Sequence, residues 1–318
     1  YPLDLNEAAK TAYKTNEYNS IKVEVIGNVT KTWINGIPVA HVIDTIDQQG
    51  HIALQVHSIP DHLHGAKVYF KNIKLTTQNI QPTPFPENIY TVNLTPNNLA
   101  AVEQKQGYKL LYDGQNAKDW RSAKSADFPA KGWTIQNGVL RVEKSDGGES
   151  TNGGDIITKE KYAAFDLNFE FKLTEGANSG IKYFVTLKEE TVGSAIGLEY
   201  QILDDKKHPD AKMGREGNRT LASLYDLIKA NKPGRAINPI GEWNRGRIVV
   251  TPDNKVIHYL NGEKVVEYTR GSKEFEDLVA ISKYKDWENF GLAKEGHILL
   301  QDHGDEVSFR SIKIKKIK

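Results

Sequence analysis

The 318-residue sequence contains no cysteine, which excludes disulfide bonds, thiolate nucleophiles and cysteine-bound zinc. It also lacks an excess of charge of either sign, because 42 basic residues are matched by 41 acidic ones. A near-neutral chain has no strong positive field for phosphate backbones, which argues against nucleic acid as a partner. No run of about 18 apolar residues occurs, so the sequence predicts no membrane-spanning helix. The sequence begins at Tyr1 without an initiator Met, which indicates a mature form or a piece of a longer chain.

Alternation of apolar and polar residues at period two recurs through most of the chain. The segments "IKVEVIG", "FDLNFEFKL", "GLEYQIL" and "HILLQDH" all fit half-buried β-strands. Convincing helical patterns are few, and the best is "LTPNNLAAVEQKQG", where Thr95 is a candidate N-cap and Gly107 a candidate stop. The sequence therefore predicts an all-β protein.

One part of the sequence occurs twice. Residues 17–42 ("EYNSIKVEVIGNVTKTWINGIPVAHV") parallel residues 242–268, and the Asn-Gly pairs in "INGIPV" and "LNGEKV" indicate matching hairpin turns. The runs "GHIALQVHS" (50–58) and "GHILLQDHG" (296–304) follow, so that His51, Gln55 and His57 match His297, Gln301 and His303. In the last strand of each copy the apolar alternation shifts by one residue, which predicts a β-bulge at Asn72 and at Ser311.

The two copies differ in extent. About 110 residues from Gly107 onward precede the shared part in the second copy, and nothing equivalent precedes it in the first. We therefore expect residues 1–76 to be the C-terminal part of a first domain, residues 77–106 to be a linker with a short helix, and residues 107–318 to be a complete domain. Half a sandwich would expose a core face, so its missing strands are expected from upstream residues or from another chain.

Residues 107–318 resemble the 3-keto-disaccharide hydrolase domain family from end to end. The resemblance is carried by "GYKLLYDGQNAKDW", "GGDIITKEKYAAFDLNFEFKL", "GANSGIKYF", "GLEYQILDD", "GEWNRGRIVV", "YLNGEKV" and "GHILLQDHGDEVSFRSIKI", in that order. The resemblance implies a concanavalin-like jelly-roll β-sandwich with a groove for sugar, and an enzyme that acts on glycosides oxidised to a ketone at carbon 3. It also implies a bacterial protein of the periplasm, the cell surface or the secreted fraction.

The strand "GLEYQIL" supplies the first candidate site residues. Glu199 and Gln201 are two positions apart, so both side chains point to one face of the strand. If that face is the concave one, they line the groove, with Lys182 as a cationic partner for the carboxylate; otherwise they are ordinary solvent-facing positions. Asp204 joins them only if the strand ends or bulges near Leu203.

The run that opens at Gly296 supplies an imidazole. Gln301 and His303 share a strand face, and a histidine can accept or donate a proton near neutrality. The alternative is that these side chains pin the strand to a neighbouring loop, because the first copy repeats them without an equivalent of Glu199.

Two further residues are candidates for sugar contacts. The amide of Asn178 in "GANSGIKYF" is suited to a sugar hydroxyl, although a simple turn residue fits equally well. Trp243 is either a stacking platform for a sugar or a core residue. A divalent cation held by Asp204, Asp205 and His208 is an option, against the alternative of scattered surface acids.

These residues and the family resemblance together suggest a mechanism. A ketone at carbon 3 acidifies the hydrogen at carbon 2, so that the aglycone leaves by elimination and water adds afterwards. In this hypothesis Glu199 or His303 removes the proton and the other assists the leaving oxygen, while Gln201, Asn178, Lys182 or a cation stabilises the enolate. Substrate binding would fall to Asn178, Lys182, Gln301, Asp204 and Trp243. The alternative is a non-catalytic carbohydrate-binding module, because jelly rolls serve both purposes.

Overall fold

The computed structural model describes residues 6–46, 49–55, 65–145, 148–187 and 195–318, so His57 of the first repeat lies outside the described residues. The chain divides into two compact units, Asn6–Thr95 and Pro96–Lys318. Strands dominate both units, and the predicted all-β class is confirmed. None of the helices in the described ranges is long and apolar enough to cross a membrane.

The first unit contains one four-stranded sheet in the order β1-β2-β3-β4. The first three strands are antiparallel, and β4 pairs in parallel with β3. Its elements are α1 (Glu7–Lys10), β1 (Ile21–Ile26), β2 (Val29–Ile34), β3 (Ile37–Ile43) and β4 (Thr91–Asn93).

Part of the segment that the sequence suggested as a linker packs on this sheet. The ring of Phe85 lies edge-on to that of Trp33, with centroids 5.3 Å apart. The backbone N–H of Thr83 donates to Glu24 Oε1 at 2.9 Å, and Lys31 Nζ donates to the Thr83 carbonyl at 2.8 Å. Aromatic packing and these charged hydrogen bonds hold the segment on the sheet despite its irregular sequence.

In the described part of the second unit, the strands form an eight-stranded sheet and a five-stranded sheet. The first has the order β15-β14-β13-β10-β17-β8-β7 with β5 beside β17, and the second has the order β12-β11-β16-β9-β6. The elements are α2 (Ala101–Lys105), β5 (Lys109–Leu110), β6 (Trp120–Ser122), β7 (Trp133–Gln136), β8 (Val139–Val142), β9 (Ile156–Thr158), β10 (Phe165–Leu173), β11 (Asn178–Thr186), β12 (Ile196–Leu203), β13 (Trp243–Val250), β14 (Lys255–Leu260), β15 (Glu263–Thr269), α3 (Lys273–Ala280), β16 (His297–Leu300) and β17 (Val307–Lys316).

The two sheets of the second unit face each other across one apolar core. Phe169 of β10 meets Tyr200 of β12 edge to face, with ring centroids 5.3 Å apart, and Phe165 meets Tyr183 of β11 at 6.3 Å. Alternate residues of each strand join this core. The predicted concanavalin-like jelly-roll sandwich is confirmed.

The sequence repeat is reproduced in the strand pairing of the two units. Val23 pairs with Thr32 in the first unit, as the matching Ile248 pairs with His258 in the second. The register between the second and third strand of each hairpin then shifts at matching places, between Thr32 and Trp33 and between His258 and Tyr259. The duplication thus extends to the hydrogen-bonding register.

The environment of the repeated strands differs between the units. Val23 is 59% exposed, whereas the matching Ile248 is fully buried in the core. Ile21 and Val25, which share the face of Val23, are also exposed. Whether further strands cover this face stays a prediction.

The predicted bulges have a clear backbone signature. Ser311 adopts φ 54° and the matching Asn72 adopts φ 57°, both in the left-handed region. The register between β10 and β17 shifts at this point. One extra residue there explains why the apolar alternation changes phase after Phe309.

The helix that leads into the second unit is shorter than predicted. It begins at Ala101 and not near Thr95, and the left-handed Gly107 follows its end as expected. The Glu103 carboxylate explains the later start, because it accepts the Ala100 N–H at 2.9 Å and pairs with buried Lys313 of β17.

Candidate active site on the outer face of the five-stranded sheet

Neighbouring strands bring the candidate residues to one face. Ile181 and Tyr200 point into the core, so Lys182 of β11 and Glu199 of β12 point to the opposite face, directly across from each other. Gln201 lies across from Gly180 in the same register, and the Gln301 N–H donates to the Gly180 carbonyl at 3.0 Å. We call the group formed by Glu199, Gln201, Lys182, Gln301 and Lys283 the Glu199 site.

Glu199 is the central acidic group of this face. Only 5% of its surface is exposed, yet across the described part of the chain no donor is hydrogen bonded to its carboxylate. Burial raises its pKa, and the positive charges of Lys182, Lys283 and His303 offset only part of that effect. A buried carboxylate without a hydrogen-bond donor is costly to a fold and is suited to accepting a proton from a bound molecule.

Gly180 makes room for this carboxylate. A Cβ atom at position 180 would overlap Glu199 Oε1, far inside van der Waals contact. A side chain at position 180 would therefore displace the Glu199 carboxylate from its observed position.

Two amines lie near Glu199. Burial alone would lower the pKa of Lys182, but the carboxylates of Glu199, Asp155 and Glu149 outweigh it and raise that pKa. For Lys283, burial dominates and lowers the pKa. The two lysines therefore differ, because Lys182 is held as a cation while Lys283 is shifted towards the neutral amine.

Lys283 comes from the loop after α3, and sequence reasoning missed it. Its backbone N–H donates to Asp226 Oδ2 at 2.8 Å, and its Nζ lies 4.2 Å from the ring centroid of Tyr225 and 5.1 Å from that of Tyr284. The segments "LYDLI" and "SKYKDW" have no strand periodicity, so only their content of Tyr and Lys gave a signal.

A glycine-rich loop contributes two more carboxylates that the sequence did not single out. Glu149 Oε1 accepts from Gln301 Nε2 at 3.3 Å, and Asp155 Oδ1 accepts from the Asp302 N–H at 2.9 Å. Burial raises the pKa of Asp155 although the charge of Lys182 opposes the shift. Asp302 anchors the loop, because its Oδ2 accepts the N–H groups of Gly153 and Gly154 at 3.1 and 2.8 Å.

Two buried amide oxygens have no partner within the described residues, namely Asn178 Oδ1 and Gln301 Oε1. Both residues share the outer face with Glu199, since Asn178 opens β11 in phase with Lys182. Unpaired buried acceptors are rare in folded proteins and mark places where a ligand can bind. The Gln201 Oε1, by contrast, accepts from the neighbouring Ile202 N–H at 3.2 Å.

His303 lies close enough to Glu199 for its charge to lower the pKa of that carboxylate. It belongs to a cluster with His208 and Asp305, in which the three ligand atoms lie within 4.8 Å of one another. Burial and the charge of His303 both lower the pKa of His208. His297, the other histidine of this run, is held at the far end of β16, where Nδ1 donates to the Thr158 carbonyl at 2.6 Å.

The structure does not bring Asp204 into the site as a free carboxylate. Asp204 Oδ2 accepts from the Gly176 N–H at 2.9 Å, and Oδ1 accepts from the N–H groups of Lys206 and Lys207. These bonds close the turn after β12 and hold the pKa of Asp204 low despite burial. Asp205 pairs with Lys232 at 2.6 Å, so the cation site suggested by the sequence differs from the observed cluster, which keeps His208 and replaces both aspartates.

Trp243 also lies elsewhere. It opens β13 in the eight-stranded sheet, across from Lys172, with its ring 5.2 Å from Lys172 Nζ and 4.1 Å from the Arg310 guanidinium. Its phase opposes that of the core residues Ile248 and Val250, so it faces outward on the other side of the sandwich. It therefore takes no part in the Glu199 site.

Comparison with known proteins agrees with this architecture. The family model described as 3-keto-alpha-glucoside-1,2-lyase-like domain matches residues 2–76 and 107–315. A 3-keto-disaccharide hydrolase of Bacteroides thetaiotaomicron is 39% identical over 231 residues, which are 66% of this chain and 78% of that protein. The crystal structure of a protein named "putative glycosyl hydrolase" from Parabacteroides distasonis is 29% identical, with a TM-score of 0.61 over 70% of this chain and 100% of its own.

The family match falls on both copies of the repeat and includes every residue of the Glu199 site. The chain therefore belongs to the 3-keto-alpha-glucoside-1,2-lyase-like domain family.

Proposed function

We propose that this chain cleaves the glycosidic bond of 3-keto-glycosides, including 3-keto-disaccharides, by elimination followed by hydration. The family and the name of the Bacteroides thetaiotaomicron relative support a carbohydrate-active enzyme of the glycoside hydrolase type. The observation that carries the finer proposal is Glu199, a buried carboxylate with a raised pKa and no hydrogen-bond donor among the described residues.

In the proposed reaction, the Glu199 carboxylate takes the proton from carbon 2 of the oxidised sugar. The electron pair of that C–H bond forms a carbon–carbon double bond and moves negative charge to the oxygen at carbon 3. The negative charge on this oxygen then re-forms the carbonyl at carbon 3, and the double bond moves to lie between carbons 1 and 2. The bond between carbon 1 and the aglycone oxygen breaks in this step, and a proton is delivered to the leaving oxygen. Water finally adds to carbon 1 of the enone and a proton returns to carbon 2, so the net reaction is hydrolysis.

Lys182 is suited to stabilising the enolate, because its raised pKa keeps it charged. Gln301 and Asn178 would meet the sugar through side-chain amides whose oxygens have no partner in the described chain. Lys283 and His303 are the groups near Glu199 that can deliver a proton to the leaving oxygen. An ordinary glycosidase instead needs two carboxylates, one on each side of the scissile bond. Here the positive charge of Lys182 interacts with both Glu199 and Asp155.

The test compares a disaccharide with its 3-keto derivative in D₂O, with NMR to follow sugar release and the hydrogen at carbon 2. We expect release only from the keto sugar, with deuterium entering at carbon 2. Release without deuterium, or equal release from the unoxidised disaccharide, would replace elimination by ordinary hydrolysis. Binding of both sugars without release would indicate the non-catalytic carbohydrate-binding module.

Glu199→Gln is the matching variant. Loss of a positioned base is expected to slow release by about 10²- to 10⁴-fold while calorimetry still detects binding of the keto sugar. Glu276→Gln, at an exposed position on α3, is the control and is expected to retain full activity. Wild-type rates in Glu199→Gln would assign the base to another residue.

A further inference from the structure

The cluster of His208, His303 and Asp305 joins two separate parts of the second unit. His208 precedes the short 3-10 helix Pro209–Lys212, whereas His303 and Asp305 lie between β16 and β17. One ligand atom from each side chain falls within 4.8 Å of the other two, and the two imidazole rings stand almost perpendicular, at 85°, with centroids 5.9 Å apart. All three residues are partly buried and partly open to solvent.

The backbone orients these side chains. Asp305 Oδ2 accepts from the Asn178 N–H at 3.0 Å, which leaves Oδ1 for a ligand. His303 makes no hydrogen bond within the described residues, so both ring nitrogens remain for binding. The Asn178 Oδ1, buried and without a partner in the described chain, belongs to the residue whose N–H holds Asp305. Converging donors held by such contacts are typical of metal sites.

We propose that His208, His303 and Asp305 bind one divalent transition-metal ion, of the class of Zn²⁺, Mn²⁺ or Co²⁺. Two imidazoles and one carboxylate are borderline ligands that suit these ions, whereas Ca²⁺ and Mg²⁺ favour six or more oxygen ligands. Three protein ligands leave at least one coordination position for a water molecule or a substrate oxygen.

Binding requires one local exchange at His208. Its Nδ1 accepts the Asp210 N–H at 3.2 Å, so the metal either binds Nδ1 in place of that long hydrogen bond or binds Nε2 after the ring proton has moved from Nε2 to Nδ1, which also breaks the bond. Affinity is therefore expected to fall as the pH is lowered, because protons compete with the metal for the ring nitrogens.

The binding itself is independent of the reaction, but its role rests on the proposed function. Because Asp305 accepts the N–H of Asn178, and Asn178 shares the outer face with Glu199, an ion at this cluster is placed to hold a sugar oxygen at that face. His303 then serves as a metal ligand and is unavailable for proton transfer, so delivery of a proton to the leaving oxygen falls to Lys283.

The site is tested without substrate. The full chain is stripped with a chelator and titrated separately with Zn²⁺, Mn²⁺ and Co²⁺ by calorimetry, with Ca²⁺ and Mg²⁺ titrated for comparison, and bound metal is counted after gel filtration. We expect one ion per chain and, for Co²⁺, visible absorption typical of histidine ligation. Absence of stoichiometric binding by all three ions, or tighter binding of Ca²⁺ or Mg²⁺, would overturn the proposal.

Variants assign the ion to the cluster. His208→Gln and Asp305→Asn are each expected to weaken binding by about tenfold or more, whereas His51→Gln, at an exposed position of the first unit, is expected to bind as the unmodified chain does. Circular dichroism checks that each variant is folded. Two variants are used so that the test can still be made if one of them does not fold. Unchanged binding in both folded variants would place the ion elsewhere.

Parallel sugar-release assays separate the two proposals. An ion bound at the cluster without release from the keto sugar would retain the metal site and remove the proposed reaction. Full release by stripped protein and by His208→Gln would retain the reaction and remove the catalytic role of the ion.

Discussion

At the scale of single residues, the pairing of Lys182 with Glu199 sets the chemistry of the outer face. Each sits opposite the other on adjacent strands, and each changes the pKa of its partner. Burial raises the pKa of the carboxylate and makes it a stronger base than an exposed glutamate, and the charge of the lysine offsets part of that rise in pKa.

This pairing predicts a shift in the pH dependence of activity. Glu199 acts as a base only when deprotonated, so kcat/KM should fall as the pH drops through its raised pKa. Lys182→Met removes the cation directly across from Glu199, raises the pKa of Glu199 further, and should move the acid limb of the pH profile to higher pH, with a lower maximum because the enolate loses its stabilising charge. The measurement is kcat/KM for a 3-keto-disaccharide across pH.

The control for this profile is Lys264→Met, an exposed position on β15. Its acid limb should coincide with that of the unmodified chain. An acid limb that stays in place in Lys182→Met would show that the limb does not report Glu199.

The sequence predicted the site residues of β11, of β12 and of the run that continues β16, but not those of the other loops. Period-two alternation fixes which side chains share a face, and this was enough to group Glu199 with Gln201. Lys283 and Asp155 come from segments without periodicity, and they reach the site only through long-range packing. The position of Trp243 on the other sheet could not be predicted for a related reason, because the sequence of one strand does not reveal which sheet the strand joins.

At the scale of elements, the bulge in β17 shows how one residue adjusts a whole strand. Ser311 adopts its left-handed conformation while its Oγ donates to Glu170 Oε2 at 2.7 Å and its N–H donates to Asn97 Oδ1 at 2.8 Å. The shift of apolar phase after Phe309 was visible in the sequence, so the bulge was predictable. Its hydrogen-bond partners were not, since Asn97 lies more than 200 positions away.

The cost of this conformation can be measured with two substitutions. Ser311→Gly keeps the left-handed backbone accessible and loses the hydroxyl bonds, for an expected loss of about 1 kcal/mol in the free energy of unfolding. Ser311→Val also forces a β-branched residue into the left-handed region and should cost a further 1–3 kcal/mol or so. Chemical denaturation of both variants gives the difference, and equal losses would mean that backbone conformation is not the constraint at this position.

At the scale of the whole molecule, two hairpins with the same register occupy different environments. Val23 and Ile248 are matching residues, the first exposed and the second buried in the sandwich core. Register is set locally by turns and cross-strand pairs, whereas burial depends on which other strands are present. The repeat was therefore predictable from sequence, and the surroundings of each copy were not.

This difference predicts unequal costs for equivalent truncations. Ile248→Ala should lower the free energy of unfolding by about 2–5 kcal/mol, because it opens a cavity in a packed core. Val23→Ala should cost less than about 1 kcal/mol, since little apolar surface is lost from the interior. Native-state hydrogen exchange reports each hairpin separately.

A cost for Val23→Ala as large as that for Ile248→Ala would show that another layer of strands covers the first sheet.

The periplasmic or cell-surface location suggested by the family stays a prediction.

Asp302 stands between Gln301 and His303 and fixes the backbone N–H groups of Gly153 and Gly154. Neighbouring positions on one short segment thus have different roles. The side chains of Gln301 and His303 lie near Glu199, whereas that of Asp302 holds the glycine-rich loop that carries Glu149. The rest of this loop can therefore change in sequence while the sheet beneath it stays unaltered, provided that Asp302, Gly153 and Gly154 persist.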